Sequence, residues 1–403
     1  MLAVNNKGET NLAMKSLKSL NVQGKRVLCR VDFNVPLKDG KVTDALRIES
    51  ALPTIKYLLK EGATVILMSH LGRPDGEPNP KYSLEPVAIE LSRLLDRSVV
   101  FIHDCVGADV QESVAKLESG KLALLENLRY HAEEEANDAD FAKQLASLGE
   151  MYVNDAFAVA HRAHASVAAI TELLPSAAGF LLESEVDTLS GLLRRPKQPF
   201  VAIIGGAKIS DKIPFLNNLV QKADTIIIGG AMANTFLAAL GHDMRKSVQE
   251  KSDYKQALKF LAEARHLGVE VILPVDVVVS DGPHDQKKAR VVTVGQLDGD
   301  DMALDLGPAT STLIAEALHN AKTIFWNGTL GLTEEEAFAT ASHDLATRMA
   351  KSPALTVIGG GDTAGYIDSI GMHKDFGFIS TGGGAALELL AGKQLPAVEA
   401  LEQ

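Results

Sequence analysis

Four times in its second half the chain carries an apolar run straight into a cluster of glycines: VAIIGGAK from Val201, TIIIGGAM from Thr225, LTVIGGGDT from Leu355 and FISTGGGAA from Phe378. A short apolar run with no polar alternation reads as a buried parallel strand. The glycines after it read as a tight turn, and the next residues as able to start a helix. Glycine turns leave backbone N–H groups bare at the strand end, where a helix N-terminus adds partial positive charge, so they suit phosphates. Several together predict one large nucleotide site, because open parallel sheets take ligands outside the carboxyl ends of their strands.

The first half keeps the same rhythm. RVLCRV, ATVILMS, VVFIHD, LALLEN and MYVND are separated by amphipathic stretches, the βαβ pattern of a parallel sheet. Within 44–61, Leu46, Ile48, Leu52, Ile55, Leu58 and Leu59 recur at helical spacing, with Thr43 or Asp44 as N-cap and Pro53 expected to bend the helix or shift its start. The segment 173–199 differs: Pro175 opens it, a helical pattern covers 179–193, and Arg194, Arg195, Pro196, Lys197, Gln198 and Pro199 end it. A length of 403 residues favours more than one core. The expected fold is α/β: two similar-sized, Rossmann-like three-layer αβα domains with parallel sheets, 1–178 and 179–389, joined by a helix and hinge.

The formal charge of −12 argues against a general nucleic-acid or anionic-membrane binder, so any anion site has to be local. Cys29 and Cys105 are the only cysteines, too few for a disulfide framework or a multi-cysteine zinc site, and both read as core thiols. No apolar run approaches a membrane span and residues 1–20 lack the unbroken apolar stretch of a signal peptide, which points to a cytoplasmic protein.

The chemistry of the first half sits just past its strands. Asp32 and Asn34 come after the first, His70 and Arg73 after the second, Arg129 after LLEN, and His161 and Arg162 after MYVND; Arg47 lies near the start of the first long helix. In a parallel sheet these loops share one edge, so four arginines and two histidines converge in an acidic protein. Guanidinium forks match phosphate and carboxylate oxygens in bidentate fashion, which suits a small polyanion. Against this, a lone loop arginine is usually a surface residue, Asp32 has Arg30 nearby to pair with, Asn34 before Val35 and Pro36 suits a plain turn, and His164 reads as structural.

In the second half, Lys208 and Lys212 stand four apart after Gly205 and Gly206, and a helix there puts both ammonium groups on one face near its positive end. Asp362, directly after Gly359, Gly360 and Gly361, either shares a magnesium ion with substrate phosphates or caps a helix. No glycine cluster completes G-x-x-x-x-G-K-[ST] or G-x-G-x-x-G, and the protein-kinase catalytic loop is missing.

Seven ordered motifs then carry a resemblance. RVDFNVP from Arg30, SHLGRP from Ser69, LLENLRY from Leu124, DAFAVAHRAHAS from Asp155, GGAKISDK from Gly205, GGGDT from Gly359 and STGGGAALE from Ser380 together resemble phosphoglycerate kinase over nearly the whole chain. The resemblance implies reversible phosphoryl transfer between 1,3-bisphosphoglycerate and ADP, giving 3-phosphoglycerate and MgATP, in a monomer whose domains close about a hinge and whose residues 390–403 return to the first domain. It implies that Asp32, the Phe33 backbone, Asn34, Arg47, His70, Leu71, Gly72, Arg73, Arg129 and Arg162, with His161 alongside, hold the glycerate. It implies that Gly206, Ala207, Gly230, Gly307 and Asn327 surround adenine and ribose, that Glu334 meets a ribose hydroxyl and Lys212 the phosphates, and that Gly360, Gly361 and Thr363 line the same site with Asp362 on magnesium. The migrating phosphoryl group would lie among Arg47, Lys208, Gly361 and the N–H groups of the turn from Gly382 to Gly384.

The chain departs from the family's usual pattern at Thr329 and Thr333, at Ala231 and Arg245 where glycine is common, and at Ala158, Val159 and Ala386. None removes a catalytic charge. Two rivals remain: a nicotinamide-dependent dehydrogenase, disfavoured by the incomplete glycine fingerprint and the arginine-rich first half, and a non-catalytic binding protein on the same fold.

Overall fold

Strands that are apolar on both faces must be covered on both faces, and the computed structural model, which describes residues 14–402, sandwiches each such run between helices. In the unit formed by 14–187 and 394–402 the strands are β1 (Arg26–Arg30), the antiparallel pair β2 (Leu37–Lys38) and β3 (Lys41–Val42), β4 (Thr64–Met68), β5 (Val100–Ile102), β6 (Leu122–Leu125), β7 (Met151–Asn154) and β8 (Ser176–Ala178). Six of them make one sheet in the order β5-β6-β4-β1-β7-β8, with every neighbour parallel.

Consecutive strand residues alternate between two cores, as a pleat requires. Val27, Cys29, Val65, Leu67 and Leu124 pack under the helices Leu46–Lys60 and Glu85–Leu95. Leu28, Ile66, Met68, Ala123 and Tyr152 pack under Ala108–Ala115 and Ala139–Ala146 on the opposite face. Both cysteines are buried thiols. The helix expected over 44–61 runs from Leu46 to Lys60 straight through Pro53. Its N-cap residue is Ala45 rather than Thr43 or Asp44, although an Asp44 carboxylate oxygen still accepts the Leu46 N–H at 2.8 Å.

The second unit, 188–393, is built in the same way from β9 (Phe200–Ile204), β10 (Thr225–Ile228), β11 (Glu270–Ile272), β12 (Asp276–Ser280), β13 (Arg290–Thr293), β14 (Met302–Leu306), β15 (Thr323–Asn327), β16 (Leu355–Gly359) and β17 (Phe378–Ile379). Its parallel sheet runs β11-β10-β9-β15-β16-β17. A three-stranded antiparallel sheet, β13-β12-β14, has no counterpart in the sequence reading. The helix Phe180–Arg194 contains the boundary between the units, and the tail joins the first, where the Ala397 N–H donates to Ala160 O at 3.1 Å. Among the described residues no helix is long and apolar enough to cross a membrane. The expectation for residues 1–20 falls, up to residue 13, outside the described residues.

Three of the four glycine clusters run from strand to helix with few residues between: Gly230–Ala239 after β10, Gly361–Ser369 after β16 and Gly384–Leu390 after β17. The fourth differs. After β9 the helix begins only at Ile213, so Lys208 and Lys212 do not share a helical face. Pro214 is the reason: proline fits the first turn of a helix and breaks an interior, so the start is pinned just before it. The intervening backbone is instead tied to Glu250, whose Oε2 accepts the N–H groups of Ile209 at 2.6 Å and Ser210 at 3.1 Å.

The turns after β9, β10 and β15 are stacked backbone on backbone. A Cβ added at Gly205 would lie 2.1 Å from the Thr329 carbonyl oxygen, whereas one at Gly361 would meet nothing within 4 Å. Gly205→Ala should therefore destabilise the second unit by about 3 kcal/mol or more in chemical denaturation, while Gly361→Ala should stay within about 1 kcal/mol of the parent.

Candidate active site

In the first unit β1 is followed in the sheet by β4 on one side and β7 on the other, so the chain reverses its direction of travel beside β1. The loops after these strands, with those after β6, hold the first set of candidate residues. Arg47 Nη1 donates to Asp32 Oδ2 at 2.6 Å, and Asp32 Oδ1 accepts the Asn34 N–H at 3.0 Å. Asn34 Oδ1 in turn accepts the Gly72 N–H at 2.9 Å, and the Phe33 N–H donates to Ser69 Oγ at 2.8 Å. Arg129 Nη1 donates to Gly72 O at 2.9 Å, and its Nε lies 2.9 Å from Glu135, whose same oxygen is 4.0 Å from Arg162. Arg162 Nε is 3.3 Å from His161 Nε2. Asp32, Asn34, Arg47, Gly72 and Arg129 are thus joined by direct hydrogen bonds, Glu135 links Arg129 to Arg162 and through it His161, and Leu71 is buried beside them with its N–H on Asn127 Oδ1 at 3.2 Å. Arg73 is exposed.

Beneath this layer lies a set that sequence reading missed or misread. Asp32 pairs with Arg47, and Arg30, fully buried, turns the other way: its Nε donates to Ser166 Oγ at 2.9 Å, another arm to the Val31 carbonyl, and its Nη2 lies 3.2 Å from His70 Nδ1. Ser166 passes the link to buried Glu134 through its Oγ at 2.6 Å and its N–H at 2.9 Å. Burial first, then Arg30, Arg129 and Arg47, holds the His70 imidazole well below its usual range, so it is neutral. A guanidinium only donates, so His70 Nδ1 must accept and Nε2 carries the proton. The 3.9 Å approach of His70 to Asp32 is for that reason no ion pair. Asn127 and Ser69 sit inside the quoted motifs and were legible there; Glu134 and Glu135 belong to an acidic run that reads as solvated surface.

In the second unit the direction of travel reverses between β9 and β15. Lys212 fills that point. Its ammonium donates to Gly205 O at 2.7 Å, Asn327 O at 3.3 Å and Asn327 Oδ1 at 2.6 Å. Burial brings it down to about 8, opposed by the charges of Asp362 and Asp211. Beside it a cleft of about 660 Å³ is lined by Gly206, Ala207, Gly230, Glu334 and Asp362, together with Pro283, Val277, Leu306, Leu330 and Tyr366. That size and apolar wall suit a small organic ligand. Ala231, Thr329 and Thr333 also line it. Arg245 occupies left-handed backbone at φ 50°, the conformation that favours the glycine common there.

Other expected residues lie behind the lining. Thr363 is buried and its hydroxyl accepts the Gly328 N–H at 2.6 Å; Asn327 is buried on Lys212. Gly307 packs on the Asp276 carboxylate, which an added Cβ would meet at 2.3 Å. The expectation of bare glycine N–H groups fails at the β9 and β10 turns: Gly205 donates to Asn327 O, Gly206 to Thr329 O, Gly229 to Ile204 O and Gly230 to Leu330 O. Gly360 is the N-cap residue of Gly361–Ser369, which puts Asp362 in the first turn of that helix. Gly384 opens its own helix, and Lys208 is exposed. Asp362 is one of three carboxylates lining the cleft, with Asp305 and Glu334, and a hard carboxylate oxygen at a helix start fits a magnesium ion that would take its other oxygens from phosphate and water.

The family model described as Phosphoglycerate kinase matches residues 17–393. The chain belongs to the phosphoglycerate kinase family. A curated phosphoglycerate kinase from Moorella thermoacetica is 51% identical over 97% of this chain and 100% of its own length, and one from Pelotomaculum thermopropionicum is 49% identical over 97% and 99%. The solved structure of phosphoglycerate kinase from Coxiella burnetii superposes with a TM-score of 0.88 at 41% identity, covering 96% of this chain and 99% of that one. That from Pyrococcus horikoshii gives 0.81 at 34%, covering 96% and 98%. Phosphoglycerate kinases are phosphotransferases with a carboxyl group as acceptor, and the chain is an enzyme of that class.

The neutral His70 has a direct readout. In ¹⁵N NMR its ring should keep the Nε2–H tautomer with no charging between pH 5.5 and 8, whereas an ordinary histidine titrates across that window.

Proposed function

We propose that the chain transfers a phosphoryl group between the acyl phosphate of 1,3-bisphosphoglycerate and ADP, the first unit holding the glycerate and the second the nucleotide. The observation that carries the reading is the presence of an arginine set in one unit, with Arg47 and Arg129 already aimed at carboxylate or carbonyl oxygen, and of a lysine-anchored cleft in the other. Arg47, Arg129, Arg162, Asn34 and Asp32 would take the phosphate, carboxylate and hydroxyl groups of the glycerate.

In the second unit the cleft would take adenine and ribose, with Glu334 on a ribose hydroxyl and Lys212 turned to the phosphates. A Mg²⁺ ion held by Asp362 and phosphate oxygens would neutralise charge on those phosphates. No protein nucleophile is needed. An ADP β-phosphate oxygen attacks the phosphorus of the acyl phosphate, and the bond to the carboxylate oxygen breaks; in reverse the 3-phosphoglycerate carboxylate attacks ATP. Rate then comes from alignment and from donors aimed at the three equatorial oxygens, supplied by Arg47, Lys208 and the N–H groups at Gly361 and Gly384. Water must be kept from the phosphoryl group, so the reaction requires closure. The covalent links across which it would act are the helix Phe180–Arg194 and the stretch 380–395.

A coupled assay of ATP formation from 1,3-bisphosphoglycerate and ADP tests the reading; tight binding of both ligands without turnover would replace it with a binding protein. Arg47→Ala should lower kcat about a hundredfold or more while leaving nucleotide Kd within a factor of about two. Equal losses in both would contradict its role.

The Lys212 charge gives a pH signature. Burial depresses its folded value to about 8, so the free protein loses this cation as pH rises through that point, while bound phosphate favours the charged form. Nucleotide binding should take up a proton at pH 8.5 to 9 and weaken as pH rises, and Lys212→Arg should flatten that dependence in calorimetry across buffers of different ionisation enthalpy.

A further inference from the structure

Next to the turn that carries Arg129, β5 and β6 are parallel neighbours whose carboxyl ends lie side by side, with Ile102 opposite Leu125. The loop leaving β5 carries Asp104 and Cys105, and the turn leaving β6, past Leu128–Tyr130, delivers His131. One ligand atom from each, a carboxylate oxygen, the thiol sulfur and a ring nitrogen, lies within 4.8 Å of the other two. His131 Nε2 is already 2.7 Å from Asp104 Oδ1. The same Asp104 oxygen is held by the Cys105 N–H at 2.6 Å, and the His131 ring lies 5.3 Å from Phe141, so two of the three donors are oriented before anything binds.

We propose that Asp104, Cys105 and His131 form a binding site for a borderline transition-metal ion, zinc above all, that staples the loop after β5 to the turn after β6. The donor set selects the ion. Thiolate and imidazole favour zinc over magnesium, and three protein ligands leave a fourth position for water, as in open zinc sites. Inter-ligand spacing at tetrahedral zinc is a little over 3 Å, so closing the cluster needs movements on the order of 1 Å.

The surroundings agree. Burial pushes the Cys105 thiol well up, and the charges of Asp104, Glu134 and Glu126 push it further. Negative potential that opposes a bare thiolate favours a cation, which then displaces the proton: Cys105–SH and Zn²⁺ give the zinc thiolate and H⁺. The site would be loaded from the exposed side, where Asp104 and His131 reach solvent. It involves none of the residues assigned to nucleotide or glycerate, so it stands or falls apart from the proposed reaction.

The test uses the full chain with Co²⁺ and Zn²⁺ as probes. Co²⁺ should give a thiolate-to-cobalt charge-transfer band that Cys29→Ser keeps and Cys105→Ser loses, and calorimetry should find one Zn²⁺ per chain, unaffected by millimolar Mg²⁺. Affinity should rise about tenfold per pH unit below the thiol's own titration, for one displaced proton. His131→Gln and Asp104→Asn, which alter solvent-reaching groups, should each weaken Zn²⁺ at least tenfold and supply the answer should Cys105→Ser fold poorly. Absence of the band in the parent, its survival in Cys105→Ser, or unchanged affinity in His131→Gln would overturn the site and leave a plain Asp–His pair beside a buried thiol.

Discussion

Parallel pairing is the constraint from which both clusters of candidate residues descend. Two parallel strands cannot be joined by a tight turn, so each connection crosses over through a helix and every strand ends at the same edge of its sheet. In the first unit that edge receives the loops after β1, β4, β6 and β7; in the second it receives the glycine turns after β9, β10, β16 and β17 and Asn327 at the end of β15. Residues separated by more than a hundred positions, such as Arg30 and Ser166 or Lys212 and Asn327, become hydrogen-bond partners as a result.

Gathering cations at one edge has an electrostatic cost, and the protein offsets it in two layers. At depth, Arg30 reaches the buried Glu134 through Ser166, with its own Nη2 4.0 Å from that carboxylate. Nearer the surface, Arg47 rests on Asp32 and Arg129 on Glu135. Between the layers His70 and His164 stay neutral; burial, then Arg30, Arg129 and Arg162, takes His164 down to about 3. An unpaired buried charge costs several kcal/mol, about as much as the whole stability margin of many domains, so these counter-charges are conditions of folding as much as of binding.

Much of this was legible in the chain. Five apolar runs became β1, β4, β5, β6 and β7 because nothing but a sheet covered on both faces accommodates them. The helix over 180–194 announced itself between Pro175 and Pro196. The hidden features were those set by partners distant in sequence. Nothing near Arg30 reveals that it will choose Ser166 over Asp32, and the glycines at 205 and 230 looked like places for a ligand when much of their demand is another turn's backbone. Pro214 did carry the signal that ends the expected Lys208–Lys212 helix, but the glycine spacing drew the reading the other way. The antiparallel sheet of β12, β13 and β14 does have turn glycines, at 282, 295 and 299, but none of its strands runs straight into a glycine cluster and so nothing set it apart from a loop.

The Lys212 ammonium already has oxygen partners for all three of its N–H bonds, on Gly205 and Asn327. On the proposed reading a phosphate arriving there would replace these carbonyls, so affinity would measure only the difference between two hydrogen-bonded states of one ammonium. The exchange would also run backwards: on ligand departure the lysine would have these oxygens to return to, and release would not strand a naked charge. A catalyst that turned over in both directions, as proposed, would gain from such a refuge for its cation.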